Sequence, residues 1–137
     1  MAYGRARNQG AGEFCLDTMQ NDDKDSYRLG VFACNEALTS TQFFSLSNED
    51  TLRREDSCAE VSEAKLHQGD VGVEMKPCEA YNDNQKFKKS AKGRLIHLAT
   101  KRCLDINTNS GQLVTAKCKR TSTQLWAFDQ DLLLITE

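Results

Sequence analysis

The side chains best suited to metal, redox or acid–base chemistry in this chain are six cysteines and two histidines. No two cysteines form a Cys-x-x-Cys pair, so the spacings typical of zinc ribbons and thioredoxin-like redox sites are missing. An even number of dispersed cysteines instead fits three disulfides formed in an oxidising compartment. His67 and His97 lack a suitably spaced carboxylate partner. We interpret both as ordinary surface or core-edge residues and expect no metal site.

The cysteines belong to an internal repeat that organises the whole chain. Each copy contains a Cys-x-acid triplet, a second cysteine and a Gln-x-aromatic triplet, and the copies recur at nearly equal intervals. They are Cys15-Leu16-Asp17 with Cys34 and Gln42-Phe43-Phe44, Cys58-Ala59-Glu60 with Cys78 and Gln85-Lys86-Phe87, and Cys103-Leu104-Asp105 with Cys118 and Gln124-Leu125-Trp126. If each copy closes its own disulfide, Cys15 joins Cys34, Cys58 joins Cys78, and Cys103 joins Cys118.

The bulk properties indicate one globular domain. The chain has 137 residues, which is enough to bury a real core. Its longest apolar run, 132–135, is far shorter than the roughly 20 residues that a membrane helix needs. The net charge of −2 argues against nucleic acid as the main partner. A lysine cluster between Lys86 and Lys92 is interpreted as a solvated loop. We therefore expect neither nucleic-acid nor membrane contacts.

Between the repeat markers the sequence predicts short strands and polar turns. Tyr27–Phe32, Val71–Met75 and Gln112–Ala116 are β-prone runs just before the second cysteine of each repeat. Each run follows a turn rich in polar turn-forming residues. Three repeats of about four strands each predict an all-β barrel with pseudo-three-fold symmetry. The aromatic residue that closes each repeat is expected in a shared core, and the Gln side chain is expected to bond nearby backbone.

The repeated Cys-Leu-Asp and Gln-x-Trp triplets resemble those of the ricin B-type lectin domain, which is a β-trefoil. The segment Ala2–Asn8, running into Cys15-Leu16-Asp17-Thr18-Met19, is similar to the start of the C-terminal lectin domain of polypeptide N-acetylgalactosaminyltransferases. The resemblance covers residues 2–130. It implies a β-trefoil of three pseudo-symmetric repeats, each with one disulfide.

The same resemblance implies how the chain divides. Its parts are a linker from a missing upstream catalytic domain (1–12), a lectin domain (13–130) and a C-terminal tail (131–137). Within the lectin domain, the first, second and third repeats span about 13–49, 50–92 and 93–130. If this division holds, the chain is a fragment of a longer secretory protein.

Such transferases start mucin-type O-glycosylation in the Golgi, and their lectin domain binds N-acetylgalactosamine already present on a glycopeptide. The resemblance therefore implies a non-catalytic module that steers its parent enzyme to glycosylated substrates. Its expected partners are a glycan or glycopeptide and its own upstream catalytic domain. Its expected location is the Golgi lumen or another part of the secretory pathway. Manganese and UDP-N-acetylgalactosamine serve the catalytic domain of these enzymes, so this chain is expected to carry no cofactor.

The family's sugar site combines the acid of Cys-Leu-Asp, a ring two residues before the second cysteine, and an Asn before the Gln. These groups suit a hexose, because its hydroxyls need donors and acceptors and its C–H face needs an apolar surface. By this resemblance the first repeat supplies Asp17 and Phe32, and Asn35 adds a polar contact. Thr41 stands where the Asn is expected. The first repeat is our best candidate.

The other two repeats match the pattern less well. The second has Glu60 as its acid and Asn84 as its amide, but Lys76 replaces the ring. The third has Asp105, but Ala116 replaces the ring and a threonine replaces the amide. We rank the second repeat after the first and expect weak binding, at most, at Asp105.

Two alternatives remain open from the sequence. The chain can be a degenerate trefoil that no longer binds sugar and serves as a spacer or protein-interaction domain, or a stand-alone lectin or toxin subunit. An Asp after Cys-Leu can equally cap a turn by accepting from backbone amides. Phe32 can equally be a core ring.

Overall fold

The structure is a computed structural model that describes residues 2–36, 40–62, 65 and 69–131, and it is all-β. The strands are β1 (Ala2–Asn8), β2 (Phe14–Gln20), β3 (Tyr27–Ala33), β4 (Phe44–Leu46), β5 (Leu52–Arg54), β6 (Ser57–Val61), β7 (Val73–Pro77), β8 (Phe87–Lys89), β9 (Leu95–His97), β10 (Arg102–Ile106), β11 (Leu113–Ala116) and β12 (Trp126–Asp131). Short 3-10 turns at Ser40–Gln42, Asp83–Gln85 and Ser122–Gln124 precede β4, β8 and β12. His67 and most of the predicted tail lie outside the described residues. No helix in the described part is long and apolar enough to cross a membrane.

Six strands close into a ring. β1 pairs with both β12 and β4, β4 pairs with β5, and β8 pairs with β9. Single bridges from Thr51 to Lys86 and from Arg94 to Leu125 join these pairs into a continuous circuit. A closed ring leaves no unpaired sheet edge to recruit another chain.

The other six strands form three hairpins that cap the ring, namely β2–β3, β6–β7 and β10–β11. One hairpin per repeat confirms the predicted β-trefoil with three pseudo-symmetric units. The predicted runs before each second cysteine correspond to β3, β7 and β11. In the second repeat the strand begins at Val73, and Val71 forms a separate bridge to Thr115.

Each repeat closes its own disulfide, as predicted. The bonds are Cys15–Cys34, Cys58–Cys78 and Cys103–Cys118, with sequence separations of 19, 20 and 15 residues. Each bond ties the start of a hairpin's first strand to the segment that follows its second strand. In the chain-entropy account, each such loop stabilises the fold by about 3 kcal/mol.

The three repeats share one core. Phe44, Phe87 and Trp126, the aromatic residues that close the repeats, are all buried. His97 also lies in this core, with its ring centroid 5.1 Å from that of Phe87. Its Nε2 lies 2.8 Å from the Asn84 carbonyl and its Nδ1 lies 2.7 Å from the Thr100 hydroxyl. Because a carbonyl can only accept, Nε2 carries the proton, and His97 is a structural residue of the core.

The segment that we interpreted as a linker contributes a strand to the barrel. Ala2–Asn8 forms β1, which pairs on both edges and buries Ala2 and Ala6. Gly4 has φ +105°, and a Cβ there would lie 2.7 Å from Asp129 Cβ, so the position requires glycine. At the other end, β12 includes Asp131, the first residue of the predicted tail.

An ion pair between β1 and β12 makes the stability of the barrel depend on pH. Arg5 donates to Asp129 Oδ2 from its backbone N at 2.8 Å and from its guanidinium Nε at 3.0 Å. Partial burial raises the pKa of the Asp129 carboxyl, but these bonds and the charge of Arg5 outweigh that effect and hold the pKa below its usual value. The carboxylate therefore stabilises the fold above the unfolded-state pKa of about 4, and this contribution is lost as the pH falls through the lowered folded-state pKa.

Asp129→Asn tests this pair, because it keeps the shape of the side chain and removes its charge. At neutral pH we expect a decrease in the free energy of unfolding of up to about 1 kcal/mol, since the pair is partly exposed. The difference between the two proteins should shrink as the pH falls through the lowered folded-state pKa of Asp129. Chemical denaturation at several pH values measures it. A difference that persists unchanged at low pH would contradict the assignment.

Candidate functional site

The glutamine of each Gln-x-aromatic triplet binds the acid of its own repeat. Its Nε2 donates to the acid at 3.0–3.1 Å and to a carbonyl before the second cysteine, while its Oε1 accepts from the backbone N–H just after that cysteine. The three sets are Gln42 with Asp17, Ala33 and Asn35; Gln85 with Glu60, Pro77 and Glu79; and Gln124 with Asp105, Lys117 and Lys119. All three glutamines are buried. We call this arrangement the Gln anchor.

The Gln anchor gives the acid a structural partner in every repeat. The sequence predicted that the glutamine bonds backbone at this junction, and it does so in all three repeats. The bond to the carboxylate was not predicted. Its consequence is that the presence of an acid in a repeat is not by itself evidence for a sugar site.

In the first repeat, the acid and the ring lie together. Asp17 is opposite Gly30 in the β2–β3 hairpin, and Phe32 is opposite Cys15. Because side chains two residues apart on a strand share a face, Asp17 and Phe32 project from the same face as diagonal neighbours. Phe32 is 57% exposed, so it is a surface ring and not a core ring.

Within the part of the chain that the structure describes, the Asp17 carboxylate keeps one acceptor open. The residue is only 7% exposed, and its Oδ2 accepts from Gln42. Its Oδ1 receives no hydrogen bond from any described residue. Gly30 adds no side chain opposite, and a Cβ at that position would lie 2.4 Å from Met19 Cγ. A fixed carboxylate with a free oxygen, next to an exposed ring, has the chemistry of a site for a hydroxylated ligand with one apolar face.

Asn35 and Thr41 flank this site. The Asn35 backbone N–H donates to Gln42, and its carbonyl accepts from the Arg5 guanidinium. Asn35 and Thr41 both make further interactions. Gln42 thus links the Asn35 backbone to the Asp17 carboxylate.

The second repeat holds its acid differently. Glu60 Oε1 accepts from Gln85 at 3.0 Å and also from Asn82 Nδ2 at 2.8 Å. The predicted amide, Asn84, does not bond Glu60. Its backbone carbonyl accepts from His97, and its side-chain Oδ1 is buried without a partner.

Sequence reasoning missed Asn82 because it lies three residues before the glutamine rather than one. Asn82 is the N-cap of the Asp83–Gln85 turn, and its Oδ1 accepts from the Asn84 backbone at 3.0 Å. An Asn at the start of a short turn is a recognisable capping signal. It indicates the cap, but it does not reveal that the same side chain donates to Glu60.

A polar cleft of about 770 Å³ adjoins this second acid. Its lining residues include Glu60, Glu74 and Lys76 and, from the tip of the β2–β3 hairpin, Asn21, Asp22, Asp23 and Ser26. Glu74 is directly opposite Glu60 in the β6–β7 hairpin, and Lys76 is exposed at the ring position. The cleft has many donors and acceptors but no aromatic ring among its lining residues.

In the third repeat, both oxygens of the acid accept from the protein itself. Asp105 Oδ1 accepts from the Ile106 backbone at 2.7 Å, and its Oδ2 accepts from Gln124 at 3.0 Å. Ala116, at the ring position, is buried. Asp105 therefore caps backbone and anchors the glutamine, which matches the turn-capping alternative. Within the described residues, no group of three or more His, Cys, Asp and Glu side chains is placed to hold a metal ion.

Comparison with protein families settles the class of this chain. The model of the ricin-type β-trefoil lectin domain matches residues 2–133. The chain belongs to this family. The sequence of this lectin domain is similar to that of a probable N-acetylgalactosaminyltransferase 9 of Caenorhabditis elegans, with 47% identity over 60 residues. That match includes 43% of this chain and 10% of the relative, so the chain spans about a tenth of the relative's length.

Solved structures share the fold of this lectin domain. GalNAc-T7, crystallised with UDP, GalNAc and Mn²⁺, superposes with a TM-score of 0.77 at 18% identity, over 95% of this chain and 23% of that one. The C-half of the earthworm R-type lectin, in complex with GalNAc, superposes with a TM-score of 0.72 at 13% identity, over 96% of this chain and 100% of that one. Agglutinin from Abrus precatorius superposes with a TM-score of 0.77 at 16% identity, over 94% of this chain and 48% of that one. At these identities the likeness establishes the fold.

The Gln anchor makes a testable contribution to stability. Gln42→Ala and Gln124→Ala each remove three hydrogen bonds and leave buried backbone groups and a carboxylate oxygen without a partner. We expect each to lower the free energy of unfolding by about 2–3 kcal/mol. Urea denaturation measures the loss. Gln130→Ala, at an exposed glutamine of β12, is the matched control and should change the value by less than about 0.5 kcal/mol. Equal effects at Gln124 and Gln130 would contradict the anchor's role.

Proposed function

We propose that this lectin domain binds N-acetylgalactosamine on a glycopeptide, chiefly through its first repeat. The observation that carries the proposal is the open Oδ1 of Asp17 beside the exposed ring of Phe32. A carboxylate oxygen can accept from sugar hydroxyls, and the ring can cover the apolar C–H face of the hexose. The Asn35 segment, fixed by Gln42, adds polar groups beside them. The chain itself performs no catalytic step in this proposal and needs no cofactor.

We propose further that the domain belongs to a transferase of mucin-type O-glycosylation in the Golgi lumen and steers it to glycosylated substrates. The similarity to the C. elegans relative and to GalNAc-T7 supports this assignment. A single shallow site is expected to bind with an affinity near millimolar, about −4 kcal/mol. Tethering to a catalytic domain raises the effective concentration of substrate, so that such weak binding becomes useful.

The second repeat is a weaker candidate for the same ligand. Glu60 retains an oxygen, Oε2, that accepts from no described residue, and the cleft beside it is wide enough for a sugar. Asn82 donates to the Glu60 carboxylate, but the position of the ring is taken by Lys76. The third repeat, with Asp105 fully bonded, is not expected to bind.

Titration of the ¹⁵N-labelled domain with N-acetylgalactosamine, and with a peptide carrying one such sugar on threonine, tests the proposal by NMR. The largest shifts are expected at residues 15–19 and 30–35, smaller ones at 58–60 and 82–85, and none at 103–106. N-acetylglucosamine, which differs in the orientation of one hydroxyl, is the control ligand and should cause much smaller shifts. The absence of shifts around both Asp17 and Glu60 would overturn the proposal.

The steering role needs its own experiment in the full-length parent enzyme. Asp17→Asn should lower activity on a glycosylated peptide and leave activity on the unglycosylated peptide unchanged. An equal loss on both substrates would indicate a structural effect and contradict steering.

A domain that binds no sugar is the second candidate function. The observation that favours it is the Gln anchor, which gives each acid a structural reason to be present. Thr41 and Thr123, in place of two amides, point the same way. The NMR titration separates the two functions, because a spacer or protein-interaction domain would show no saturable shifts with either N-acetylgalactosamine ligand.

A further inference from the structure

The charges of this chain are strongly segregated. Residues 86–120 contain ten of the 18 lysines and arginines but only one of the 20 aspartates and glutamates. That acid is Asp105, whose two carboxylate oxygens accept from Ile106 and Gln124. The net charge of −2 therefore averages a strongly basic stretch, residues 86–120, with an acidic remainder.

The fold gathers five of these basic residues around the Cys103–Cys118 disulfide. The Arg94 guanidinium donates to the Lys119 carbonyl at 3.0 Å, and the Lys101 carbonyl lies 3.4 Å from Cys118 Sγ. The Gln anchor fixes the backbone on both sides of Cys118. We call this surface the basic face, and its residues are Arg94, Lys101, Lys117, Lys119 and Arg120.

The basic face is exposed and is not neutralised. The three lysines and Arg120 are exposed, and Arg94 is half-buried. None of the five forms an ion pair with a described acidic residue. By contrast, the neighbouring Arg102 is paired with Asp70 at 3.1 Å. A surface with several unpaired cations creates a positive potential that attracts anionic ligands.

We propose that the basic face binds a sulfated polysaccharide. The cations come from separate segments of chain and lie on an open surface, which suits an extended polymer with repeated charges better than a single anion. Residues 88–125 contain no Phe, Tyr or Trp, so the face offers no such ring for stacking nucleic-acid bases and no aromatic anchor for a membrane. Three disulfides place the domain in an oxidising compartment, where polyanions are commonly sulfated glycans.

Heparin is the probe for this proposal. The domain is expected to be retained on heparin–agarose at about 0.15 M NaCl and to be released by higher salt, because binding releases counterions from the polyanion. Lys117→Glu with Lys119→Glu should weaken the affinity for a heparin hexasaccharide at least about tenfold and reduce its salt dependence. The matched control is Lys24→Glu with Lys65→Glu. It makes the same change in net charge at two exposed lysines outside the face, and it should stay within about twofold of the unmodified domain.

A second measurement does not depend on the variants. Heparin hexasaccharide added to the unmodified domain should shift NMR signals of residues 94, 101 and 117–120, and not those around Asp17 that report N-acetylgalactosamine. The two ligands should bind together, so failure of the sugar site and failure of the basic face are distinguishable.

Four outcomes would overturn the proposal. They are passage of the unmodified domain through heparin at 0.15 M NaCl, equal weakening by the two double variants, equal retention on desulfated heparin, and stronger binding to duplex DNA than to heparin. The last of these would assign the face to nucleic acid.

Discussion

Replacement of Trp126 by alanine is expected to lower the free energy of unfolding by about 3–5 kcal/mol, the largest stability effect that we expect in this domain. Trp126 is buried in the core shared by the three repeats, and its Nε1 donates to the Leu104 carbonyl at 3.3 Å. Truncation leaves a cavity between the repeats and removes the partner of that carbonyl. Guanidinium denaturation monitored by circular dichroism measures the loss.

Two variants control for the identity of the side chain and for its position. Trp126→Phe supplies the residue that the first and second repeats carry at the same place, Phe44 and Phe87, and should cost clearly less than the alanine variant. Tyr81→Ala removes a ring that is 97% exposed and should change stability by less than about 0.5 kcal/mol. A loss below 1 kcal/mol in Trp126→Ala would contradict a core shared by the three repeats.

The fold could be predicted from the sequence because its signals are local and occur three times. The spacing of the cysteines predicts three short disulfide loops, and the aromatic residue after each Gln predicts a shared core. The structure confirms both. Repetition matters because any one Cys-Leu-Asp or Gln-x-Trp triplet is too short to indicate a fold.

The role of the first strand could not be predicted in the same way. Ala2–Asn8 contains small and charged residues and lacks the β-branched run that favours a strand. It forms β1 because it pairs with β12 along one edge and with β4 along the other. Both of these strands are distant in sequence. Pairing of this kind is set by closure of the ring and not by local propensity.

The candidate site could be predicted in part. Asp17, Phe32 and Asn35 come together because the hairpin register and Gln42 fix them. Asn82 was missed in the second repeat, because the length of its capping turn decides which amide reaches Glu60. The sequence also could not indicate which acid keeps a free oxygen. Asp17 and Asp105 stand in identical triplets, and only the backbone at Ile106 distinguishes their bonding.

The net charge of the whole chain does not reveal the basic face. A total of −2 suggests weak attraction to polyanions, but a binding surface responds to local charge. Ten lysines and arginines lie between Lys86 and Arg120 in the sequence. They become a surface because the Cys103–Cys118 disulfide and Gln124 hold Lys101, Lys117 and Lys119 close together.

Asp17→Asn is expected to weaken the binding of N-acetylgalactosamine at least about tenfold, the largest effect on binding that we expect from a single substitution. A hydrogen bond to a charged group contributes about 1.5–3 kcal/mol, and about 1.4 kcal/mol corresponds to tenfold in affinity. The asparagine oxygen can still accept from Gln42, so the Gln anchor and the fold should persist. Asp105→Asn is the matched control, because both of its carboxylate oxygens are already bonded within the protein, and it should leave the affinity unchanged. Isothermal titration with the glycopeptide measures both variants. If Asp17→Asn binds normally and Glu60→Gln does not, the principal site is in the second repeat and the open acceptor of Asp17 is not its determinant.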